Sequence, residues 1–393
     1  MKLESPAAPT DASAAECAVA RPYRSWVEVS RAQIATNFLS IRQAVNADVE
    51  VMPVVKADAY RHGAVEVSRI LEANGARWLA VSSTEEGVAL RDAGIKTRIL
   101  VIADFLPFTR EEMLARQLTP AIQSLTALNE LNSLGAARHE RIRCHLKIDS
   151  GMGRLGVRAP AAEIADAILS ARNVEVEGLM THFASAGNYE RGQTEEQMAS
   201  FESTINFLAE AGIRPSLIHL SSTIPVAYAR RRAWRGMVRP GHAIYGYVSP
   251  VRGQAPAEII DVKPALTWRA TVLGVKDVPA GALIGYGGMF QTRRASRIAI
   301  LAAGYADGIP HRLSNRGSVI VQGKIAPIIG AVSMDLTTID ITDTAKVDVG
   351  DAVTLLGREG NAVIDAQSIA KLAGTISYSV LCGIHARVKR LYV

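Results

Sequence analysis

The sequence is short of the residues that mark special environments. Three cysteines, Cys17, Cys144 and Cys382, are spread over 393 residues, which gives neither a disulfide framework nor a metal-ligand spacing and suits a reducing cytoplasm. No metal is expected. No run approaches the roughly 18 uninterrupted apolar residues of a membrane span, so no membrane partner is expected either. Met1 to Cys17 carries Glu4, Asp11 and Glu16 among prolines and has no apolar core, so it does not read as a secretory signal. Blocks of basic residues are absent: Lys and Arg number 44 against 38 Asp and Glu, the net charge is only +6, and nucleic acid is excluded as a partner. There is no internal repeat.

What is present is a chain 48% hydrophobic and 21% charged, too long for one small domain and too apolar for disorder. Residues 1–22, rich in Ala, Pro, Ser and Thr, read as a disordered extension. Over residues 23–262 eight β-branched runs alternate with amphipathic stretches: Val51 to Lys56, Trp78 to Ser83, Arg98 to Ala103, Leu118 to Gln123, Ile142 to Asp149, Val174 to His182, Leu217 to Ser221, and a short piece ending near Arg239. Helices are expected between them over Gly63 to Asn74, Thr84 to Ala93, Leu125 to Leu134, Ala161 to Ala171 and Thr194 to Ala211. The fold class is therefore α/β, a closed (β/α)8 barrel of the TIM type. Residues 263–393 change texture. Short alternating runs broken by Gly, Pro and Asp predict a mainly β C-terminal domain, with one helix over Asp365 to Leu372.

Barrel enzymes carry their chemistry where the strands end. Lys56 closes the first run; in a desolvated mouth its amine would lose its proton readily and form a Schiff base with an aldehyde cofactor, whereas alone it reads as a solvent-facing lysine. Ser222 and Thr223 follow the seventh run, and Arg239-Pro-Gly241-His242 follows the eighth, where barrels bind phosphate; Ser-Ser-Thr by itself is also an ordinary helix cap. A Schiff-base lysine opposite a phosphate cradle describes a pocket for pyridoxal 5'-phosphate. His182, closing the sixth run, would stack on its ring or be an ordinary strand-end histidine. Arg239 can only donate, so beside the ring nitrogen it would keep that nitrogen unprotonated.

These residues sit within dense motifs: Val-Val-Lys56-Ala-Asp58-Ala-Tyr60-Arg61-His-Gly, Lys147-Ile-Asp-Ser-Gly-Met-Gly-Arg154-Leu-Gly, Val-Arg239-Pro-Gly241-His242-Ala-Ile-Tyr-Gly, Gly-Tyr286-Gly, Gly-Tyr305-Ala-Asp-Gly, Ser333-Met334-Asp335 and Tyr378-Ser-Val-Leu-Cys382-Gly. In this order they resemble the alanine racemases, barrel-type PLP enzymes with a C-terminal β domain, from about Tyr23 to Val393. The resemblance implies interconversion of L-alanine and D-alanine by two bases, supplying D-alanine for peptidoglycan, in a cytoplasmic homodimer with shared active sites. It makes Lys56 the cofactor-bearing lysine and one base, and Tyr286, lent by the partner subunit, the other. It places Tyr60, Thr223, Gly241, His242 through its backbone and Tyr378 around the phosphate, beside the Ser222 already placed there by its position, and Arg239 at the ring nitrogen. Arg154 falls near the phenolic oxygen and substrate, Met334 at the substrate carboxylate and Tyr305 at the entrance. His182 and His219 match polar supports, and Lys147 matches a lysine that many relatives carry as a carbamate. A tyrosine base needs cationic neighbours, and His182 and Arg239 are the expected ones.

The chain departs from the commoner family pattern at Asp58 and Arg61, where Asn and Gly are usual, at Ser222-Thr223 for Asn-Ser, at Ser333 for Cys, and at His242 for an aliphatic residue. A barrel-type PLP decarboxylase would share the lysine and phosphate loops, but it would need an acidic partner where Arg239 stands. A single-domain PLP carrier would not need the β domain that holds Tyr286 and Met334.

Overall fold

The chain is described here from a computed structural model over residues 23–393; the extension expected over residues 1–22 lies outside the described residues. Short apolar runs bounded by turns give parallel strands at Glu50–Val51, Trp78–Val81, Arg98–Val101, Thr119–Ile122, Ile142–Lys147, Val174–Met180, Leu217–His219 and Met237–Val238. Six of them, from Trp78–Val81 to Leu217–His219, form one ladder in chain order, and Glu50–Val51 pairs in parallel with Met237–Val238. The ring closes on one side through the bridge between Val54 and Ala80. On the other, the Gly236 amide donates to the Ile218 carbonyl (3.2 Å) and the Arg239 amide to Ser221 (2.9 Å). This is the eight-stranded barrel that the alternation predicts. Each run is trimmed at its C-terminal end, because its last residues leave the ladder to form the loops of the mouth.

The crossover helices fall where amphipathic spacing puts them, at Ala64–Ala73, Thr84–Asp92, Leu125–Arg138, Ala161–Ser170 and Gln193–Glu210. Ser83 and Ser124 set two of the starts by accepting from the amides of Glu86 (3.4 Å) and Ala127 (3.0 Å). A helix absent from the sequence reading, Arg31–Ala44, is tied to the end of the barrel by the fully buried Asn37. Its side-chain amide donates to the carbonyls of Ile244 (3.1 Å) and Lys263 (2.9 Å) and accepts from the Lys263 amide (3.0 Å).

The β-rich part is a largely antiparallel sheet whose spine is the long strand Leu266–Val278, flanked by Ala352–Glu359 and Ser296–Leu301. One of its strands comes from the other end of the chain. Ser25–Val29 pairs antiparallel with Leu266–Val278 and parallel with Lys389–Tyr392, so a segment that the sequence reading assigned to the barrel belongs by hydrogen bonding to the second sheet. The cause is burial: Val27 and Val29 are fully enclosed there and Trp26 nearly so. Both termini of the described chain thus lock the β part, and helix Ser377–Gly383, unpredicted from sequence, brings Tyr378 back over the barrel mouth. No helix of the described residues is long and apolar enough to cross a membrane.

Candidate active site

A cavity of about 640 Å³ opens at the C-terminal ends of the barrel strands, a size that suits a small cofactor with its substrate. Eleven of the fifteen residues given a site role from sequence line it: Lys56, Tyr60, Lys147, Arg154, His182, Ser222, Thr223, Arg239, Gly241, His242 and Tyr378, while His219 contacts Arg239 from behind the lining. Tyr286, Tyr305 and Met334 are not among them and lie on the outside of the β part, 78%, 46% and 54% exposed.

Lys56 opens an unusual turn. Ala57, Asp58, Ala59, Tyr60 and Arg61 all adopt the left-handed conformation, with φ of 53, 54, 53, 52 and 67°. Each such residue costs about 1–2 kcal/mol, so the turn persists only because its surroundings over-determine it. Glu86 accepts from the amides of Ala57 (2.6 Å) and Ser82 (2.7 Å), and Asp58 accepts from the Ala64 amide (2.8 Å). His62 Nδ1 lies 3.1 Å from the carbonyls of both Ala59 and Tyr60, so it carries the proton, and the buried Nε2 is an acceptor that no donor reaches. Arg61, standing where the resemblance expects glycine, donates to the Cys382 carbonyl (3.3 Å), and its own carbonyl accepts from Arg390 (3.2 Å). Sequence reasoning missed Glu86 and His62; Ser83-x-x-Glu86 reads only as a helix cap, and nothing local shows that the carboxylate turns to another loop.

The floor is built on Arg239, which is 4% exposed. Its Nη1 donates to the His219 carbonyl (2.7 Å) and reaches His219 Nδ1 (2.8 Å), and Nη2 donates to the carbonyls of Thr181 (2.6 Å) and Leu220 (3.2 Å). Burial pulls this guanidinium down to about 9, which leaves it charged at neutral pH. Burial, and then Arg239, push His182 down to about 3. His182 is therefore neutral, and the cationic neighbours expected around the tyrosine base reduce to Arg239 and the basic groups beside it. The reason is physical: an enclosed imidazole next to a guanidinium cannot hold a second charge.

Lys56 lies below the ordinary lysine value because of burial and then the Arg154 charge, and burial with Arg154 and Arg239 lowers Lys147 to about 8. Arg154 stands at the rim on a loop folded by Asp149, whose Oδ1 accepts from the amides of Gly151 (3.1 Å), Met152 (2.9 Å) and Gly153 (3.0 Å). Four basic side chains thus line the cavity, and no aspartate or glutamate does among the described residues.

A phosphate cradle faces Lys56. Ser222 occupies the cap position of helix Thr223–Ala227, yet its hydroxyl makes no cap bond, so the plain-cap reading fails there. Thr223 Oγ1 accepts from the amides of Gly241 and Ala243, both at 3.3 Å. A Cβ on Gly241 would fall 2.5 Å from Tyr60 Oη; the bare glycine keeps that corner open. His242 stacks on Tyr378 with ring centroids 3.9 Å apart, a contact that an aliphatic residue would not make. Uncharged hydroxyls, amides and four basic groups match the donor set that a phosphorylated aldehyde requires, so the residues fit pyridoxal 5'-phosphate.

The three outlying residues share one construction. Tyr286 sits at the tip of the hairpin Leu283–Ile284 with Phe290–Gln291. Tyr305 and Met334 lie on adjoining loops, where the Tyr305 amide donates to Ser333 (2.9 Å) and the Ala306 amide to Met334 (3.0 Å). Arg387 clamps both loops by donating to the two oxygens of Asp307 (2.7 and 2.9 Å) and to Asp335 (2.7 Å).

His62, His182 and His242 are lowered, chiefly by burial, to about 4, 3 and 3, and His145 and His219 are lowered for the same reason. These imidazoles are neutral in the fold and take up protons on unfolding below about pH 6.5, so stability is complete above that pH and is lost as the pH falls toward the folded values. Each group contributes a slope of about 1.4 kcal/mol per pH unit. The denaturant midpoint of the cofactor-free protein is expected to fall steeply between pH 7 and pH 5, where most carboxylates stay charged. A flat midpoint would contradict these assignments.

Comparison with known proteins agrees with this geometry. Residues 29–250 match the family model "Alanine racemase, N-terminal domain" and residues 265–392 match "Alanine racemase, C-terminal domain". An alanine racemase of Halothermothrix orenii is 40% identical over 375 residues, covering 95% of this chain and 97% of that protein. The crystal structure of alanine racemase from D-cycloserine-producing Streptomyces lavendulae superposes with a TM-score of 0.88 at 31% identity, covering 95% of this chain and 98% of that one. Alanine racemase from Bartonella henselae, with covalently bound pyridoxal phosphate, gives a TM-score of 0.84 at 25% identity over 95% of this chain and all of that one. The chain belongs to the alanine racemase family, whose members depend on pyridoxal 5'-phosphate.

Proposed function

We propose that this protein interconverts L-alanine and D-alanine, with Lys56 and Tyr286 as the two bases, in a cytoplasmic homodimer that supplies D-alanine for peptidoglycan. The observation that carries the reading is the cavity of four basic groups without an acid, a charge imbalance that calls for an anionic cofactor and an amino-acid carboxylate. When bound, pyridoxal 5'-phosphate supplies an aldehyde for the amino group and a ring that disperses the charge left by the α-proton.

The chain's own residues divide the remaining work. Ser222, Thr223, Tyr60 and Tyr378, with the amides of Gly241 and His242, would hold the phosphate. Arg239 would hold the ring nitrogen; a donor-only group there leaves the nitrogen without a proton and limits how far charge spreads into the ring, which favours returning a proton to the same carbon. Inversion needs one proton removed from one face and another delivered to the opposite face. Lys56, whose amine is readily neutral in this setting, serves one face and takes the proton from D-alanine.

Tyr286 serves the other face and takes the proton from L-alanine. It stands outside its own chain's cavity, on an exposed apolar surface with Leu283 and Met289, 67% and 56% exposed. Such a surface favours pairing with a second copy, which would seat Tyr286, Met334 and Tyr305 at the partner's mouth. Tyr378 walls the space beside the substrate methyl and so favours alanine over larger amino acids. The unpaired thiols Cys144 and Cys382 suit a cytoplasmic location.

Arg154 and Lys147 would bind the substrate side of the cofactor. The lowered value of Lys147, about 8, gives the free amine needed to form a carbamate with carbon dioxide, which would place a negative charge between cations. Labelled bicarbonate should give a carbamate 13C resonance that disappears in Lys147→Ala; its absence from the wild type would remove the modification from the account.

The shared-site reading is tested by mixing. Lys56→Ala and Tyr286→Phe are each expected to be inactive at racemisation. Refolded together they should recover about a quarter of wild-type activity, since about half the dimers are mixed and each mixed dimer has one intact site. No recovery would overturn the partner-supplied base. In D2O, Tyr286→Phe should lose α-proton exchange more severely from L-alanine than from D-alanine, and equal loss would overturn the assignment of faces.

A further inference from the structure

A line of buried polar groups leaves the cavity floor and runs into the barrel. Beyond Arg239, His219 Nε2 lies 2.8 Å from His145 Nδ1, and His145 Nε2 lies 3.6 Å from Glu177 Oε1, which accepts from Arg98 (2.5 Å). His145 and His219 are fully buried and Glu177 is 7% exposed. Arg98 stands at the start of its strand with its guanidinium over the Trp78 ring (3.8 Å), and Trp78 meets the edge of His145 (5.2 Å). The strand carrying Glu177 leaves space for the line: a Cβ on Gly178 would fall 2.5 Å from His145 Nδ1.

The direction of every bond follows from the first. Arginine only donates, so His219 Nδ1 accepts from Arg239 and its proton sits on Nε2. His219 then donates to His145 Nδ1, which places the second proton on His145 Nε2, facing the carboxylate. That Nε2 has no hydrogen-bond partner within ordinary distance, and Glu177 is the group it faces.

We propose that Glu177 is a positioning residue for Arg239: it terminates a one-way chain, Arg239 to His219 to His145 to Glu177, that holds the guanidinium in the cavity floor. The role rests on the reading of Arg239 as the group that holds the ring nitrogen. Without the carboxylate at the far end, His145 Nε2–H would face no acceptor at all in the core, and the chain would gain by rotating or breaking at either imidazole. The fold alone does not demand this arrangement, because apolar side chains fill such barrel layers in other proteins.

The test begins with cofactor-free wild type labelled with 15N at histidine and arginine. His145 and His219 should both be neutral with the proton on Nε2 at pH 7, and the two Arg239 Nη resonances should be separate, as for a held guanidinium. Either imidazole protonated on Nδ1, or on both nitrogens, would overturn the chain. In Glu177→Leu the two Arg239 resonances should merge, and in the holoenzyme kcat should fall about tenfold with KM little changed, the loss expected when the carboxylate facing His145 Nε2–H disappears. Glu177→Gln, which retains an acceptor oxygen, should restore separate resonances and most of kcat. Unmerged resonances and unchanged kcat in Glu177→Leu would overturn the positioning role, as would failure of Glu177→Gln to rescue. The wild-type resonances need neither cofactor nor alanine, so their failure would leave racemisation standing, and failure of the wild type to racemise would leave the chain standing.

Discussion

Positive charge without a counter-charge is the constraint on which this molecule depends. Lys56, Lys147, Arg154 and Arg239 converge on one cavity with no carboxylate among its lining, and part of that charge is enclosed. Burial and mutual repulsion lower both lysines; burial lowers Arg239 as well, but only to about 9, so it remains charged and donates to the backbone carbonyls of Thr181, His219 and Leu220. A site of this kind is complete only with an anion in it. The barrel is what allows it: strands that are apolar along their length end together, so polar residues at their ends and on the loops that follow meet at one mouth.

The strained turn after Lys56 is the local counterpart of that global arrangement. Five consecutive left-handed residues would not persist in an isolated peptide. They are held by Glu86, which accepts from the Ala57 amide, by the turn's own Asp58, which accepts from the Ala64 amide, and by packing of Tyr60 on Tyr245 with centroids 4.7 Å apart. The result is that Lys56 and Tyr60, four positions apart, both line the cavity. Arg61 takes the left-handed conformation without glycine's freedom, and its bond to the Cys382 carbonyl ties the turn to the helix that carries Tyr378. Cofactor lysine, phosphate cradle and substrate wall are therefore mechanically one unit built from both parts of the chain.

Much of this was legible in sequence because it is periodic or because it sits at strand ends. Eight apolar runs gave the barrel, and Lys56, Ser222, Thr223 and Arg239 could be picked out as the polar residues that close them. Long-range pairing was not legible. Ser25–Val29 looks like the first strand of the unit it precedes, and only its burial against Leu266–Val278 and Lys389–Tyr392 assigns it to the other sheet. Glu86 looks like a helix cap and Glu177 like a polar residue on a strand; their partners, Ala57 and His145, are distant in the chain. The charge state of His182 was misread for a related reason, since the neutrality of an imidazole depends on how completely its neighbours enclose it.

The most direct measurement is the absorbance of the purified holoenzyme before and after borohydride, followed by peptide mapping. The account predicts a band near about 420 nm that vanishes on reduction and leaves the cofactor's mass on the peptide containing Lys56. A band that survives reduction, or label on any lysine other than Lys56, would contradict it.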